Sequence, residues 1–246
     1  MSIVNDPKSP MFIPEENRRI AQERAKDHVK LIEDYLKVRD KIPTGFTLLK
    51  QHQENKKRIL KVLQGTEKDW GNYKWQLSHT IRDVSILAKI IDLNDQEKKD
   101  ILQIERTNRW AVSPYYASLM DPEDRECPIR KQSVPTVHEY LDKEAEVDPY
   151  AIVYNSPAPL ITRLYADRVI INVTNICAMF CRHCLRKKDI ALKDMIYPRD
   201  DIQMALDYIA DSPEIRDVLL TGGDALALSD DYIDWILGEL DKIPHI

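Results

Sequence analysis

Three cysteines fall within eight residues, Cys177-Ala-Met-Phe-Cys181-Arg-His-Cys184. Thiolates at such short spacings can wrap one face of a cubane and bind three of its four irons. The fourth iron then has no protein ligand. An open iron is what reaction at a cluster requires, whereas an electron carrier normally fills all four positions with cysteine. The spacing therefore points to a redox-active 4Fe–4S cluster held by Cys177, Cys181 and Cys184. The alternative is a zinc-stapled, non-catalytic binding module with Cys127 or His183 as the fourth ligand. Zinc sites typically use two ligand pairs separated by a longer loop, and here there is one compact triplet and no second pair. Cys127 by itself reads as a packed thiol.

A second segment that could do chemistry is Leu220-Thr221-Gly222-Gly223-Asp224. Adjacent glycines let a backbone approach a ligand closely, and an acidic side chain can accept from an ammonium. Both segments come after apolar runs that must position them. Val169, Ile170, Ile171 and Val173 form a nearly continuous β-branched run, as expected of a strand covered on both faces. Val218-Leu219-Leu220 predicts a second buried strand. Between them Ile202, Ala205, Leu206 and Ile209 recur at helical spacing. After the second strand, Ser229 is a suitable N-cap for a helix with Ile233, Ile236, Leu237 and Leu240 on its apolar face. Strand, loop, helix, twice over, is the opening of an α/β fold with a parallel barrel or sheet. Such folds carry their sites at the C-terminal ends of the strands, where both motifs lie. Two units cannot close a barrel, so the chain is expected to be a piece of a longer protein.

Upstream the texture is different. Residues 15–40 are dense in charge, with Ile20, Val29, Ile32 and Leu36 spaced for one narrow apolar helical stripe. Gly45 sits in a break, and further helices are predicted over 47–63, 81–91 and 96–105, the last capped by Asn94. Prolines at 114, 122, 128, 135, 149, 157 and 159 then exclude long helices. The expected organisation is an all-helical region over 1–112, an irregular proline-rich connection over 113–164, and the start of the α/β domain over 165–246. Trp70, Trp75 and Trp110 read as core aromatics.

Composition narrows the class. The 246 residues are 43% hydrophobic and 31% charged with a net charge of −5, mixed in sign, which argues against a nucleic-acid footprint. No apolar run reaches membrane-spanning length, and residues 1–19 lack an apolar signal core. The reading is cytoplasmic, and in a reducing compartment a cysteine cluster means metal or redox chemistry rather than disulfides.

The CxxxCxxC triplet after the first strand, paired with the Gly-Gly-Asp turn after the second, resembles the signature of the radical S-adenosylmethionine superfamily. A narrower resemblance is carried by Trp70-Gly-Asn-Tyr-Lys-Trp-Gln-Leu77, residues 121–136, Tyr165-Ala-Asp-Arg168, Cys181-Arg-His-Cys184 and Leu220-Thr-Gly-Gly-Asp224. Together these are similar to the amino-acid 2,3-aminomutases, a family with lysine and glutamate branches. The resemblance implies a helical region followed by the first two βα units of a partial TIM-type radical barrel. It implies an isomerase that moves an α-amino group to the β-carbon. The cofactors implied are the 4Fe–4S cluster, S-adenosylmethionine and pyridoxal phosphate. The first two generate a radical that removes the substrate's β-hydrogen, and the third carries the amine from C2 to C3.

Residue by residue, Gly222, Gly223 and Asp224 match the S-adenosylmethionine segment. Arg186 matches the arginine that pairs with the substrate carboxylate, a task suited to a bidentate guanidinium. Tyr165 and Arg168 match positions near pyridoxal phosphate, and His183 is expected to shape the cluster loop. The lysine that attaches pyridoxal phosphate would lie beyond Ile246, so this piece alone is expected to be inactive. One departure is local: arginine is common before the tyrosine, but Leu164 stands there and Arg163 is displaced by one. The long charged extension before Trp70 favours L-glutamate over L-lysine as substrate. It also speaks against a branch of the family that modifies a lysine on a translation factor. The partners implied are a small-molecule amino acid, an electron donor such as flavodoxin or ferredoxin, and further copies in a homo-oligomer, with no nucleic acid or membrane.

Overall fold

The computed structural model describes residues 7–10, 12–144, 146–190 and 193–246. The chain divides into two compact units, Met1–Leu49 and Lys50–Ile246. In the first, the charged stretch forms helices Glu15–Leu31 and Glu33–Val38, interrupted at Ile32. Arg19 pairs with Glu16 and Glu23, Lys30 with Asp27, and Lys37 with Asp34 along these helices. Exposed pairs of this kind contribute little each. The apolar stripe expected here is present in spacing, but Ile20, Val29, Ile32 and Leu36 are all exposed.

The second unit holds the site. Helix Leu49–Leu63 buries Ile59 in a core with Ile81, Leu87, Ile101, Trp110 and Met120. Asn55, also buried, donates through Nδ2 to the carbonyls of Ser118 and Met120. Helix Asp95–Glu105 starts where expected: Asn94 accepts from the Glu97 amide while Glu97 accepts from the Asn94 amide, a reciprocal capping box. The helix expected over 81–91 shrinks to Val84–Leu87. Asp83 caps it by accepting from Ser85 and Ile86, and the Ile81 amide is engaged by the Val112 carbonyl at 2.8 Å. The proline-rich stretch forms only short helices, Pro114–Ser118, Pro128–Lys131 and His138–Leu141. Two of them begin at a proline, whose missing amide is harmless in a first turn.

Three strands come next: β1 (Ile161–Thr162), β2 (Arg168–Thr174) and β3 (Asp217–Gly222), in the order β1-β2-β3. β1 pairs antiparallel with β2, and β2 parallel with β3, their crossover containing helix Arg199–Ala210. That helix buries Ile202, Ala205, Leu206 and Ile209 against Val169, Ile171 and Val173. The molecule is thus α/β, with a βαβ unit at its centre. Two expectations need correction. β2 is fully covered on one face only, since Ile170 and Asn172 on the other are half-buried. β3 is no buried strand: it is a sheet edge among the described residues, and Leu219 is 59% exposed. The uncovered face of both strands lines a cleft beside the cysteine loop.

Helix Asp230–Leu240 closes the core with Ile236 and Leu240. Ser229 occupies its N-cap position but makes no side-chain capping bond, and Leu237 is 51% exposed, so the apolar face is narrower than its spacing suggested. No described helix is long and apolar enough to cross a membrane. Truncating Ile171, fully buried at the centre of this core, to alanine should cost about 2–5 kcal/mol. Leu237→Ala should change stability by less than about 0.5 kcal/mol. Paired urea melts of the two variants measure both.

Candidate functional site

The chain leaves β2 through two polar residues that set the course of the cysteine loop. Thr174 donates through Oγ1 to the Met195 carbonyl at 2.7 Å and accepts from the Ile176 amide. Asn175 is buried; its Nδ2 donates to the carbonyls of Asp189 and Lys193, and its Oδ1 accepts from the Met195 amide at 2.6 Å. These bonds draw the start of the cysteine loop and the segment after it together.

The middle of the loop is held by the helical part of the same unit. Phe180 is buried with Ala111 and Ile190, and Cys177 and Cys184 pack against that group. The Phe180 amide donates to the Ala111 carbonyl at 3.1 Å, and the Arg109 guanidinium lies 4.6 Å from the Phe180 ring centre. The Arg182 amide donates to the Gln132 carbonyl at 2.8 Å. Its guanidinium donates through Nη1 to the Arg109 carbonyl, and through Nε and Nη2 to both oxygens of Glu139, at 2.9 and 2.7 Å. Lys187 also reaches Glu139, at 2.8 Å. Burial tends to raise the Glu139 carboxyl, but the bonds and charges of Arg182 and Lys187 outweigh it and hold the group below the usual range.

All three thiols are half-buried. Burial, then the neighbouring Cys184, Asp224 and Cys181, push Cys177 up to about 11, and burial with Cys184 raises Cys181 as well. Ionising Cys177 and Cys181 is therefore costly unless cations are supplied, which bound iron does. Among the described residues no three His, Cys, Asp or Glu side chains gather closely enough for a single metal ion. A lone zinc needs every thiolate about 2.3 Å from one centre, whereas a cubane distributes three thiolates over three irons. Three half-buried thiols on one loop that do not converge on a single point suit the second donor set. Cys127 lies buried and accepts from the Asp121 amide, a packed thiol as expected.

β3 ends beside this loop. Its last residue, Gly222, has φ +119°, and a Cβ there would stand 2.2 Å from the Thr174 carbonyl oxygen. A Cβ on Gly223 would stand 2.2 Å from that of Ile176. The Gly223 amide instead donates to Thr174 O at 2.6 Å and the Asp224 amide to Ile176 O at 2.7 Å. The two glycines thus permit a close approach between two backbones. Asp224 is exposed and accepts from the Leu226 amide, bracing the turn after β3.

Arg186 spans both strands, donating through Nη2 to Thr221 Oγ1 at 3.0 Å and through Nη1 toward Asn172 Oδ1 at 3.4 Å. It lines a cleft of about 370 Å³ together with Cys181, Cys184, Ile170, Leu219 and Thr221. His183 is on the rim of this cleft. An adjoining cleft of about 280 Å³ has Tyr165 and Arg168 on its wall. Both are exposed, Tyr165 by 66%, with the Arg168 guanidinium 5.8 Å from the Tyr165 ring centre and 3.6 Å from Asp167. Arg163 does not replace the arginine missing before Tyr165. Its guanidinium is engaged by Tyr208, Glu214 and the Ala166 carbonyl.

The structure thus brings the cysteines, the glycine turn and Arg186 to adjacent strand ends, with Tyr165 and Arg168 one cleft away. Sequence reasoning missed Thr174, Asn175, Arg109 and the Glu139–Arg182 pair. The polar Thr-Asn step ending a β-branched run was a usable signal for the first two.

No protein-family model matches the chain. Among curated proteins, it is 49% identical over 231 residues to glutamate 2,3-aminomutase of Clostridioides difficile, covering 94% of this chain and 55% of that protein. It is 40% identical over 182 residues to L-lysine 2,3-aminomutase of Fusobacterium nucleatum, covering 74% and 43%, and of Clostridium subterminale, covering 74% and 44%. The chain is a homologue of the amino-acid 2,3-aminomutases. It spans about half the length of the curated relatives it matches.

Gly223→Ala should destabilise the fold by about 3 kcal/mol, the upper end for overpacking, because the clashing atoms belong to a backbone. Gly238→Ala, in a helix with open space around the missing Cβ, should instead stabilise by about 0.5–1 kcal/mol. Equilibrium unfolding of the two variants compares them directly.

Proposed function

We propose that the chain is the cluster-bearing part of a radical S-adenosylmethionine aminomutase that converts L-glutamate to β-glutamate. The observation that carries this is the meeting of three half-buried thiols, a Gly-Gly-Asp turn and Arg186 at the ends of two adjacent parallel strands. The aminomutase relatives support the same reaction. The longer and closer match to the glutamate enzyme supports glutamate over lysine. Lysine is the second reading, favoured by the 40% identity to lysine enzymes.

In this reading residues 1–112 are a helical region, 113–164 a connection, and 165–246 the first two βα units of a TIM-type barrel. The single βαβ unit and the uncovered face of β3 that carries Leu219 support the barrel. Cys177, Cys181 and Cys184 hold the 4Fe–4S cluster. Gly222, Gly223 and Asp224 hold the amino-acid end of S-adenosylmethionine, and the exposed Asp224 carboxylate suits an ammonium. When bound, these groups and pyridoxal phosphate supply radical cleavage chemistry and a carrier for the migrating amine.

The protein's own part is orientation. Arg186, fixed by Thr221 and Asn172, offers its guanidinium to the substrate carboxylate beside the thiols. Ile170 and Leu219 give that cleft apolar walls. Tyr165 and Arg168 supply a hydroxyl and a cation for the pyridoxal phosphate pocket. The family resemblance further supports a flavodoxin- or ferredoxin-like donor, a homo-oligomer and a cytoplasmic setting.

After anaerobic iron and sulfide reconstitution the chain should carry close to four irons, and Cys181→Ser should lose most of them while the helical part stays folded by circular dichroism. Unchanged iron in that variant would take the cysteine loop out of the site. In the full-length enzyme with all three cofactors, Arg186→Lys should raise KM for the amino acid about tenfold or more, since the fork geometry is lost. S-adenosylmethionine cleavage should be far less affected. A KM equal to that of the parent protein would remove Arg186 from substrate binding. Product analysis by chromatography separates the two substrates, β-glutamate being expected and β-lysine the contrary outcome.

A further inference from the structure

Beside the cysteine loop lies a trio of charges, a buried arginine with a carboxylate and a lysine that are partly buried, which the proposed chemistry does not use directly. The Arg182 and Glu139 side chains are 7% and 12% exposed, and Lys187 is 32% exposed. One carboxylate serves two cations, so the trio keeps one uncompensated positive charge. Arg182 is flanked in sequence by Cys181, and Cys181, Arg182 and Lys187 line a common crevice with Arg109 and Phe180. The Arg182 guanidinium is engaged through Nε, Nη1 and Nη2 by Glu139 and the Arg109 carbonyl. It is therefore a fixed charge rather than a group offered to a ligand. Arg109 is balanced separately by Asp194.

Charge fixed at such depth is weakly screened, and the potential of an iron–sulfur cluster responds to local charge and hydrogen bonding. We infer that Glu139 is a positioning residue that sets the reduction potential of the cluster by cancelling one of the two cations beside Cys181. This rests on the proposal that the cysteine loop holds a cluster. The step concerned is the one-electron reduction of the cluster from 2+ to 1+, by dithionite in the test. With Glu139 ionised the reduced cluster is less favoured and a stronger donor to a sulfonium. Without it, two adjacent cations stabilise the extra electron.

The test is a redox titration of the reconstituted full chain, followed by electron paramagnetic resonance, with iron content measured alongside. Glu139→Gln should raise the midpoint so that the reduced form gains about tenfold at a fixed potential, about 59 mV for one electron. Lys187→Met should lower it, and the double variant should return close to the parent value. Opposite shifts that cancel are what a charge role requires and a merely structural role does not produce. Shifts of the same sign, or none, at unchanged iron content would overturn the inference while leaving the cluster in place. A parent protein that shows no cluster signal would instead overturn the functional reading and this inference with it. Should Glu139→Gln fail to hold iron, the sign of the Lys187→Met shift still decides.

Discussion

The site depends on how closely the end of β3 approaches the chain leaving β2. Two amides, of Gly223 and Asp224, donate to two carbonyls, of Thr174 and Ile176, at 2.6 and 2.7 Å. Any side chain at Gly222 or Gly223 would occupy the space those carbonyls need. This contact puts the acidic turn after β3 next to the first thiol, close enough for Asp224 to raise Cys177. It also keeps Thr221 and Asn172 at the separation that one arginine side chain, Arg186, can bridge. Parallel strands supply the coarse alignment, and the glycines supply the fit.

The cysteine loop has almost no regular structure of its own, and ordering such a segment carries a large entropic cost. The helical part of the unit offsets it. Ala111, Gln132 and Arg109 accept from the loop through backbone carbonyls, Phe180 is buried, and Glu139 receives a guanidinium from within the motif. The helices thus form the rear wall of the loop, and the sheet its floor. A ligand loop built this way has its polar backbone satisfied by its neighbours while its thiols stay half-buried.

Much of this could be read from local pattern. The strand before the cysteines, the 202–209 helical face and the Asn94 cap are consequences of periodicity and capping, and all formed, although the strand is covered on one face where two were expected. What escaped depends on partners distant in sequence. Ile81 forms a bridge to Val112, thirty-one positions on, in place of a helical turn. Glu139 and Arg182 are forty-three apart, and nothing in either neighbourhood announces the pair. β1 is two residues long and has no period to detect. The exposure of Leu219 is set by the position of β3 in the sheet, since an edge strand and a buried one can share the same apolar residues. For the proposed site, spacing singled out the cysteines and the resemblance pointed to the turn and Arg186, while the residues that hold them in place were visible only in three dimensions.

The central claim is that the triplet leaves one iron open for S-adenosylmethionine. The most direct measurement is electron paramagnetic resonance of the anaerobically reconstituted, dithionite-reduced protein, recorded with and without S-adenosylmethionine. The account predicts a reduced 4Fe–4S signal whose g-values and line shape change when S-adenosylmethionine is added, because the cofactor's amino and carboxylate groups take the open position. A cluster signal that is identical in both samples would mean that all four irons are already ligated and would contradict the account.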